Sequence, residues 1–146
     1  MRRSTTSFLF PDLNVWLALS YQAHRQHGQA VEWFNSLSDT VRICFCRVTQ
    51  LGLLRMLTTE AVLRDEVLTQ REAWQVYDRW LEDERVVFVE EPSMLEPTFR
   101  SLTRSSRASN KEWADSYLIA FSETGGFELV TFDKAMGRKS RNVLLL

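Results

Sequence analysis

Three aspartates carry the chemistry that this sequence offers. Asp12 ends the apolar run Phe8-Leu9-Phe10-Pro11, Asp133 ends Leu129-Val130-Thr131-Phe132, and Asp115 lies inside a stretch of helical period from Asn110 to Thr124. At about 100° per residue, Asp115 stands roughly 40° from Ile119 and roughly 60° from Leu118, on the flank of the apolar stripe. A carboxylate drawn partly out of water there requires a cation or hydrogen-bond donors. Asp oxygens with no Cys or His beside them select a hard cation, Mg2+ with Mn2+ as a substitute. Such a cation, sharing its shell with a substrate phosphate, neutralises the charge that develops during in-line displacement and activates the attacking water. Asp12, Asp115 and Asp133 are therefore read as metal ligands and catalytic residues for phosphodiester hydrolysis. The competing structural roles are turn former or helix cap for Asp12 and Asp133, and an ion pair with an arginine for Asp115.

Other constellations offer less. Cys44 and Cys46 share one face of the run Ile43-Cys44-Phe45-Cys46 and predict buried, reduced thiols. A C-x-C pair without a further Cys or a nearby His cannot close a tetrahedral zinc site. His24 and His27 stand three apart near a helix start and read as surface or capping residues. The sequence holds no GxGxxG, Walker A, G-x-S-x-G or HExxH pattern.

The elements that must position these aspartates follow from periodicity. Phe8 to Phe10, Val41 to Val48, Val86 to Val89, Leu129 to Phe132 and Val143 to Leu146 read as buried strands, rich in β-branched and aromatic residues. Between them the spacing predicts helices over Asn14–Tyr21 with Asn14 as N-cap, His24–Leu37, Gln50–Thr59, Thr69–Leu81, Ser93–Leu102 and Asn110–Thr124. Thr69-Gln70-Arg71-Glu72 is a capping-box pattern, and Gly125-Gly126 marks a helix end. Strands alternating with helices imply an α/β fold whose mostly parallel sheet is covered on both faces. In such sheets ligands bind beyond the carboxyl ends of the strands, where Asp12 and Asp133 fall.

Composition sets the outer bounds. With 146 residues, 45% of them apolar, the chain suits one domain over residues 1–146 that needs neither disulfides nor a structural metal. Five Trp, nine Phe and three Tyr exclude a solvated coil as the main state. No apolar run approaches the roughly 20 residues of a membrane span, and the basic start lacks a signal-peptide core, so no membrane association and a cytoplasmic location are expected.

The net charge of −1 conceals an asymmetry. Residues 1–59 carry six basic and three acidic side chains, residues 60–96 four and eleven, and residues 97–146 eight and five. Fifteen of the eighteen cations are Arg, whose fork pairs bidentately with phosphate. The pattern predicts that both ends converge on an anionic ligand while the acidic middle faces elsewhere. Arg104-Ser105-Ser106-Arg107-Ala108-Ser109 reads as a solvated loop with arginines available to phosphate.

Four segments resemble a known family. Phe10-Pro11-Asp12-Leu13-Asn14-Val15-Trp16-Leu17-Ala18 is similar to the first strand and turn of PIN domains. Trp113-Ala114-Asp115-Ser116-Tyr117-Leu118-Ile119-Ala120 resembles their central acidic helix, and Leu129-Val130-Thr131-Phe132-Asp133 their "L-V-T-x-D" strand. Cys46-Arg47-Val48-Thr49-Gln50-Leu51-Gly52 is similar to a segment of VapC-like toxins. The resemblance implies a three-layer α/β/α domain with a five-stranded sheet. It also implies a magnesium-dependent endoribonuclease, a homodimer, and a VapB-like antitoxin that crosses the active-site groove. By this resemblance Asp12 and Asp115 are the main metal ligands and Asp133 the third acid, while Asn14 and Gln50 orient groups around the ion. Gln50 stands where the family usually has Glu, so it supplies no charge. Arg47, Lys111, Lys134, Arg138 and Lys139 are the candidate RNA contacts. The competing reading is a degenerate PIN-like module that binds RNA or a partner without cutting.

Overall fold

The computed structural model of the chain describes residues 6–146. Its strands are β1 (Phe8–Pro11), β2 (Arg42–Phe45), β3 (Val86–Phe88), β4 (Glu128–Thr131) and β5 (Val143–Leu145). Eight helices connect them: α1 (Leu13–Ser20), α2 (His27–Ser36), α3 (Arg47–Leu57), α4 (Glu60–Leu63), α5 (Gln70–Leu81), α6 (Leu95–Leu102), α7 (Glu112–Gly125) and α8 (Lys134–Lys139). The sheet runs β3-β2-β1-β4-β5 and every neighbouring pair is parallel. Among the described residues no helix is long and apolar enough to cross a membrane.

Period-two alternation along the strands sorts the core into two layers. Leu9, Ile43, Phe45 and Val130 point to the side covered by α1, α2, α3 and α5. Phe10, Cys44 and Leu129 point to the other side, where α7 contributes Leu118, Ile119 and Phe121 and α6 contributes Leu95. The aromatic residues form the centre of each layer. Trp16 stacks on Phe45 with ring centroids 3.8 Å apart, and Phe10 stacks on Phe121 at 4.7 Å. Cys44 and Cys46 are buried and free on the α7 side, as expected, and burial pushes the Cys44 thiol up to about 12.

Several boundaries differ from those the sequence predicts, each for a local reason. The second strand stops at Phe45 rather than Val48, because Cys46 turns the chain and α3 begins at Arg47. There Thr49 Oγ1 accepts a hydrogen bond from the Cys46 backbone N–H at 3.0 Å, so Thr49 closes the helix start. Asn14 is not the N-cap of α1. Asp12 is, with its carboxylate accepting from the Val15 N–H. The short helices α4 and α8 carry too few periodic residues to be legible. At the end of α7 the chain adopts the left-handed conformation at Gly126, with φ at 73°, as the double glycine implied.

These layers make a graded prediction about stability. Trp16→Ala removes the largest fully buried ring and its stack on Phe45, and is expected to cost about 3–5 kcal/mol. Thr69→Ala removes the observed capping box of α5, where Thr69 Oγ1 and the Glu72 carboxylate satisfy each other's backbone N–H groups, and is expected to cost about 1 kcal/mol. Urea denaturation of both variants checks the order, and similar losses would contradict this account of the core.

Candidate active site

The strand order reverses between β1 and β4: the chain first builds outward from β1 to β2 and β3, then returns to place β4 and β5 on the other flank. Helices leave the sheet on opposite faces at such a switch point, which opens a crevice beyond the carboxyl ends of the two strands. Asp12 follows β1 directly, and Thr131 is the last residue of β4.

Asp12 is 4% exposed. Its backbone N–H continues the sheet ladder by donating to the Val130 carbonyl at 2.9 Å. One carboxylate oxygen accepts from the Val15 N–H at 3.1 Å, and the other accepts from the Thr131 hydroxyl. Thr131 Oγ1 in turn accepts from the Asp133 backbone N–H at 3.0 Å. One fully buried hydroxyl thus ties the end of β1 to the turn after β4. Burial raises the Asp12 carboxyl to about 6 against the opposing pull of the Thr131 and Val15 donors, and the nearby Asp115 charge adds to the rise.

Asp115 is carried by the first turn of α7 and is half-buried. Its carboxyl is also raised, first by burial and then by the charge of Asp133, with Lys139 opposing and Glu112 adding to the rise. Asp12 and Asp115 both line one cleft of about 310 Å3, with Leu13 and Asn14 of α1, Gly52 and Arg55 of α3, and Leu118 of α7. Two carboxylates share this hollow, and neither makes an ion pair with an Arg or Lys among the described residues.

The other residues singled out in the sequence fall into distinct places. Asn14 is exposed on the cleft wall. Asp133 is exposed outside the cleft lining and caps α8, accepting from the Ala135 N–H at 2.8 Å, although its charge is felt by Asp115. Gln50 faces away from the cleft. It lies on the buried face of α3 with Thr49, Leu53 and Leu57, and its amide oxygen accepts from Arg47 at 2.6 Å. From α3 the cleft is lined by Val48, Thr49, Leu51, Gly52 and Arg55, an arc of the helix centred opposite position 50, which is not among them.

Of the cations, Arg47 is held by Gln50 and lies over the Phe88 ring, 4.8 Å from its centroid. Lys139 reaches Glu112 at 3.8 Å, beside the acidic group. Lys111 and Lys134 are exposed at the starts of α7 and α8, and Arg138 is exposed beside a separate hollow near the end of α7. The acidic middle is not wholly remote, since Glu91 accepts a hydrogen bond from Tyr117 of α7 at 2.6 Å.

Sequence reasoning missed Thr131 and Arg55. Thr131 reads as an ordinary β-branched strand residue, and only its place two residues before Asp133 hints at a role. Arg55 is detectable as the third member of the stripe begun by Val48 and Gly52.

The donor set fits a magnesium ion in part. Among the described residues no three His, Cys, Asp or Glu side chains are grouped as they would be around a metal. A pair of carboxylates suffices for Mg2+, which keeps several waters and takes substrate phosphate oxygens for the rest of its shell. Asp12 and Asp115 would hold the ion. Asp133 would act at longer range.

The raised Asp12 carboxyl has a checkable consequence for the metal-free protein. An unfolded Asp titrates near 3.8 and the folded one near 6, so between these values the folded state binds more protons. Stability contributed by this group is therefore present below about pH 3.8 and lost as pH rises through 6. Asp12→Asn should remove that loss, stabilising the protein in EDTA at pH 8 by an amount on the order of 1–3 kcal/mol and by about half as much at pH 5. Urea denaturation at both pH values tests this, and equal destabilisation at both would contradict it.

Known proteins match this architecture. The PIN domain family model matches residues 9–142. The ribonuclease VapC41 of Mycobacterium tuberculosis, in two strains, is 43% identical over 131 residues, covering 87% of this chain and 90% of the relative. Among solved structures, the fold is similar to M. tuberculosis VapC20, a toxin that cleaves the sarcin–ricin loop, with a TM-score of 0.66, 18% identity, and 91% and 95% of the two chains covered. It is also similar to VapBC2 of Rickettsia felis bound to a promoter DNA fragment, with a TM-score of 0.63, 11% identity, and 95% and 97% covered. Given the five-stranded parallel sheet, the aspartates at its switch point and these matches, the chain belongs to the PIN domain family.

Proposed function

We propose that this protein is a magnesium-dependent endoribonuclease and the toxin member of a toxin–antitoxin pair. One observation carries the reading: Asp12 and Asp115 share a cleft at the sheet's switch point, and no basic side chain pairs with either carboxylate among the described residues. Burial raises both carboxyls first, the Asp115 charge adds to the rise at Asp12 and the Asp133 charge to that at Asp115, and this concentration of negative charge favours a divalent cation. A bound magnesium ion would supply positive charge against the developing charge of an in-line displacement and would activate the attacking water.

The residues of this chain do the positioning. Asp12 is held by two donors, so its carboxylate is aimed before substrate arrives. Asn14 offers an amide on the cleft wall, and Arg55 offers a guanidinium to a substrate phosphate at the far side. Lys139, within 3.8 Å of Glu112 and lowering the Asp115 carboxyl by its charge, limits the negative charge that would repel RNA. The 43% identity to a ribonuclease supports RNA as the substrate. The fold shared with VapBC2 supports an antitoxin partner. A homodimer belongs to the same proposal.

Cleavage of a broad RNA pool by the purified protein tests this reading. Activity should require Mg2+ or Mn2+, vanish in EDTA, and fall by orders of magnitude in Asp12→Asn and Asp115→Asn. Thr131→Val removes only the hydroxyl that orients Asp12 and should lower the rate about 10–100-fold, with Thr131→Ser retaining most of it. Wild-type protein that binds RNA but cuts none of it at any metal concentration would favour the binding-module alternative.

A further inference from the structure

The arginine- and serine-rich segment between α6 and α7 is not used by the chemistry above, yet it lines a hollow outside the carboxylate cleft. A cavity of about 530 Å3 is lined by Thr103, Ser105, Arg107, Ser109, Asn110 and Trp113 among others, and Glu112 forms one edge. A second hollow of about 460 Å3 also includes Trp113 in its wall, with Phe99, Arg100, Thr103 and Arg104. Trp113, like Thr103, therefore lines both hollows. It is 54% exposed. Its ring contacts Phe99 with centroids 6.1 Å apart, and Phe99 packs edge-on against Tyr117 at 5.7 Å, so the indole is braced from below.

Charge and chemistry point to one occupant. Arg104, Arg107 and Lys111 make no ion pair among the described residues, whereas Arg100 is matched by Glu96. An exposed indole flanked by free cations and by hydroxyl and amide groups is the combination that grips an unpaired nucleotide: the base stacks on the ring and the guanidinium groups meet its phosphates. Arg104 and Arg107 line the two hollows that Trp113 shares, so the surface around the indole carries cations that a phosphodiester backbone can neutralise. The cavity also adjoins the site, because Glu112 lines it and lies one helical turn before Asp115, whose carboxyl it influences.

We infer that Trp113 is a stacking platform for an unpaired base of the RNA substrate, with Arg104 and Arg107 holding the flanking phosphates on the α7 side of the scissile bond. This rests on the ribonuclease reading. A duplex, whose bases are already stacked on one another, has no free face to offer Trp113.

The test is equilibrium binding of a fluorescein-labelled single-stranded RNA pool by the full chain in EDTA, where no cutting occurs, read by anisotropy. Trp113→Ala should weaken binding about five- to a hundredfold, and Trp113→Phe should keep most of it. Arg104→Gln with Arg107→Gln should flatten the salt dependence by roughly one to two counterions. Duplex RNA of the same length should bind more weakly and be indifferent to Trp113→Ala. Wild-type affinity in Trp113→Ala, or equal duplex binding, would overturn the proposal. So would loss of affinity for the cognate antitoxin with RNA binding unchanged, which would assign the surface to a protein partner. Cleavage by the wild type in Mg2+ is measured in parallel. If it cuts while Trp113→Ala binds and cuts equally well, only the platform falls, and if it neither binds nor cuts, the ribonuclease reading falls with it.

Discussion

The short chain of hydrogen bonds from the Asp133 backbone through the Thr131 hydroxyl to the Asp12 carboxylate is the constraint on which the rest of the site depends. It joins β1 to β4 at the one place where the sheet reverses its order, so the crevice and the carboxylate that serves it come from the same local geometry. Phe10 and Leu129 set the parity of both strands by packing toward α7. Two residues further along each strand, Asp12 and Thr131 must point the same way, toward Asp115. Burial of the aromatic layer thus decides where the charge goes.

That placement is costly in the free protein. A carboxylate 4% exposed and beside a second one is held against its solvation, and its raised proton affinity is the measure of that conflict. Stability set aside at one position in this way is characteristic of functional sites. The surrounding structure is arranged to tolerate it without neutralising it. Two donors satisfy the oxygens of Asp12, Lys139 stays on the Glu112 side, and Arg55 lines the cleft without pairing with either acid. Under the proposed function, a divalent cation and the phosphate of an anionic substrate would complete it.

Much of this was legible in the sequence, because it depended on periodicity. The alternation of strands and helices, the capping box at Thr69, the glycine end of α7 and the flank position of Asp115 all follow from residue order, and each is present in the structure. Three features were not legible, for physical reasons. Gln50 lies two residues from the cleft-lining Gly52, about 200° around the helix, and the helix begins three residues earlier than its apolar pattern suggested. Asp133 caps a helix of six residues, too short to show a period. Thr131 acts through a hydroxyl whose partner is 119 residues away, a contact that only strand pairing reveals.

The central claim is that Asp12 and Asp115 form a divalent metal site. A crystal soaked in Mn2+ and measured at the manganese absorption edge tests it most directly. The account expects an anomalous peak within bonding distance of both carboxylates, with Asp133 contributing through water or not at all. Absence of a peak at saturating Mn2+, or a peak held by other side chains with the Asp12–Asp115 cleft empty, would contradict it.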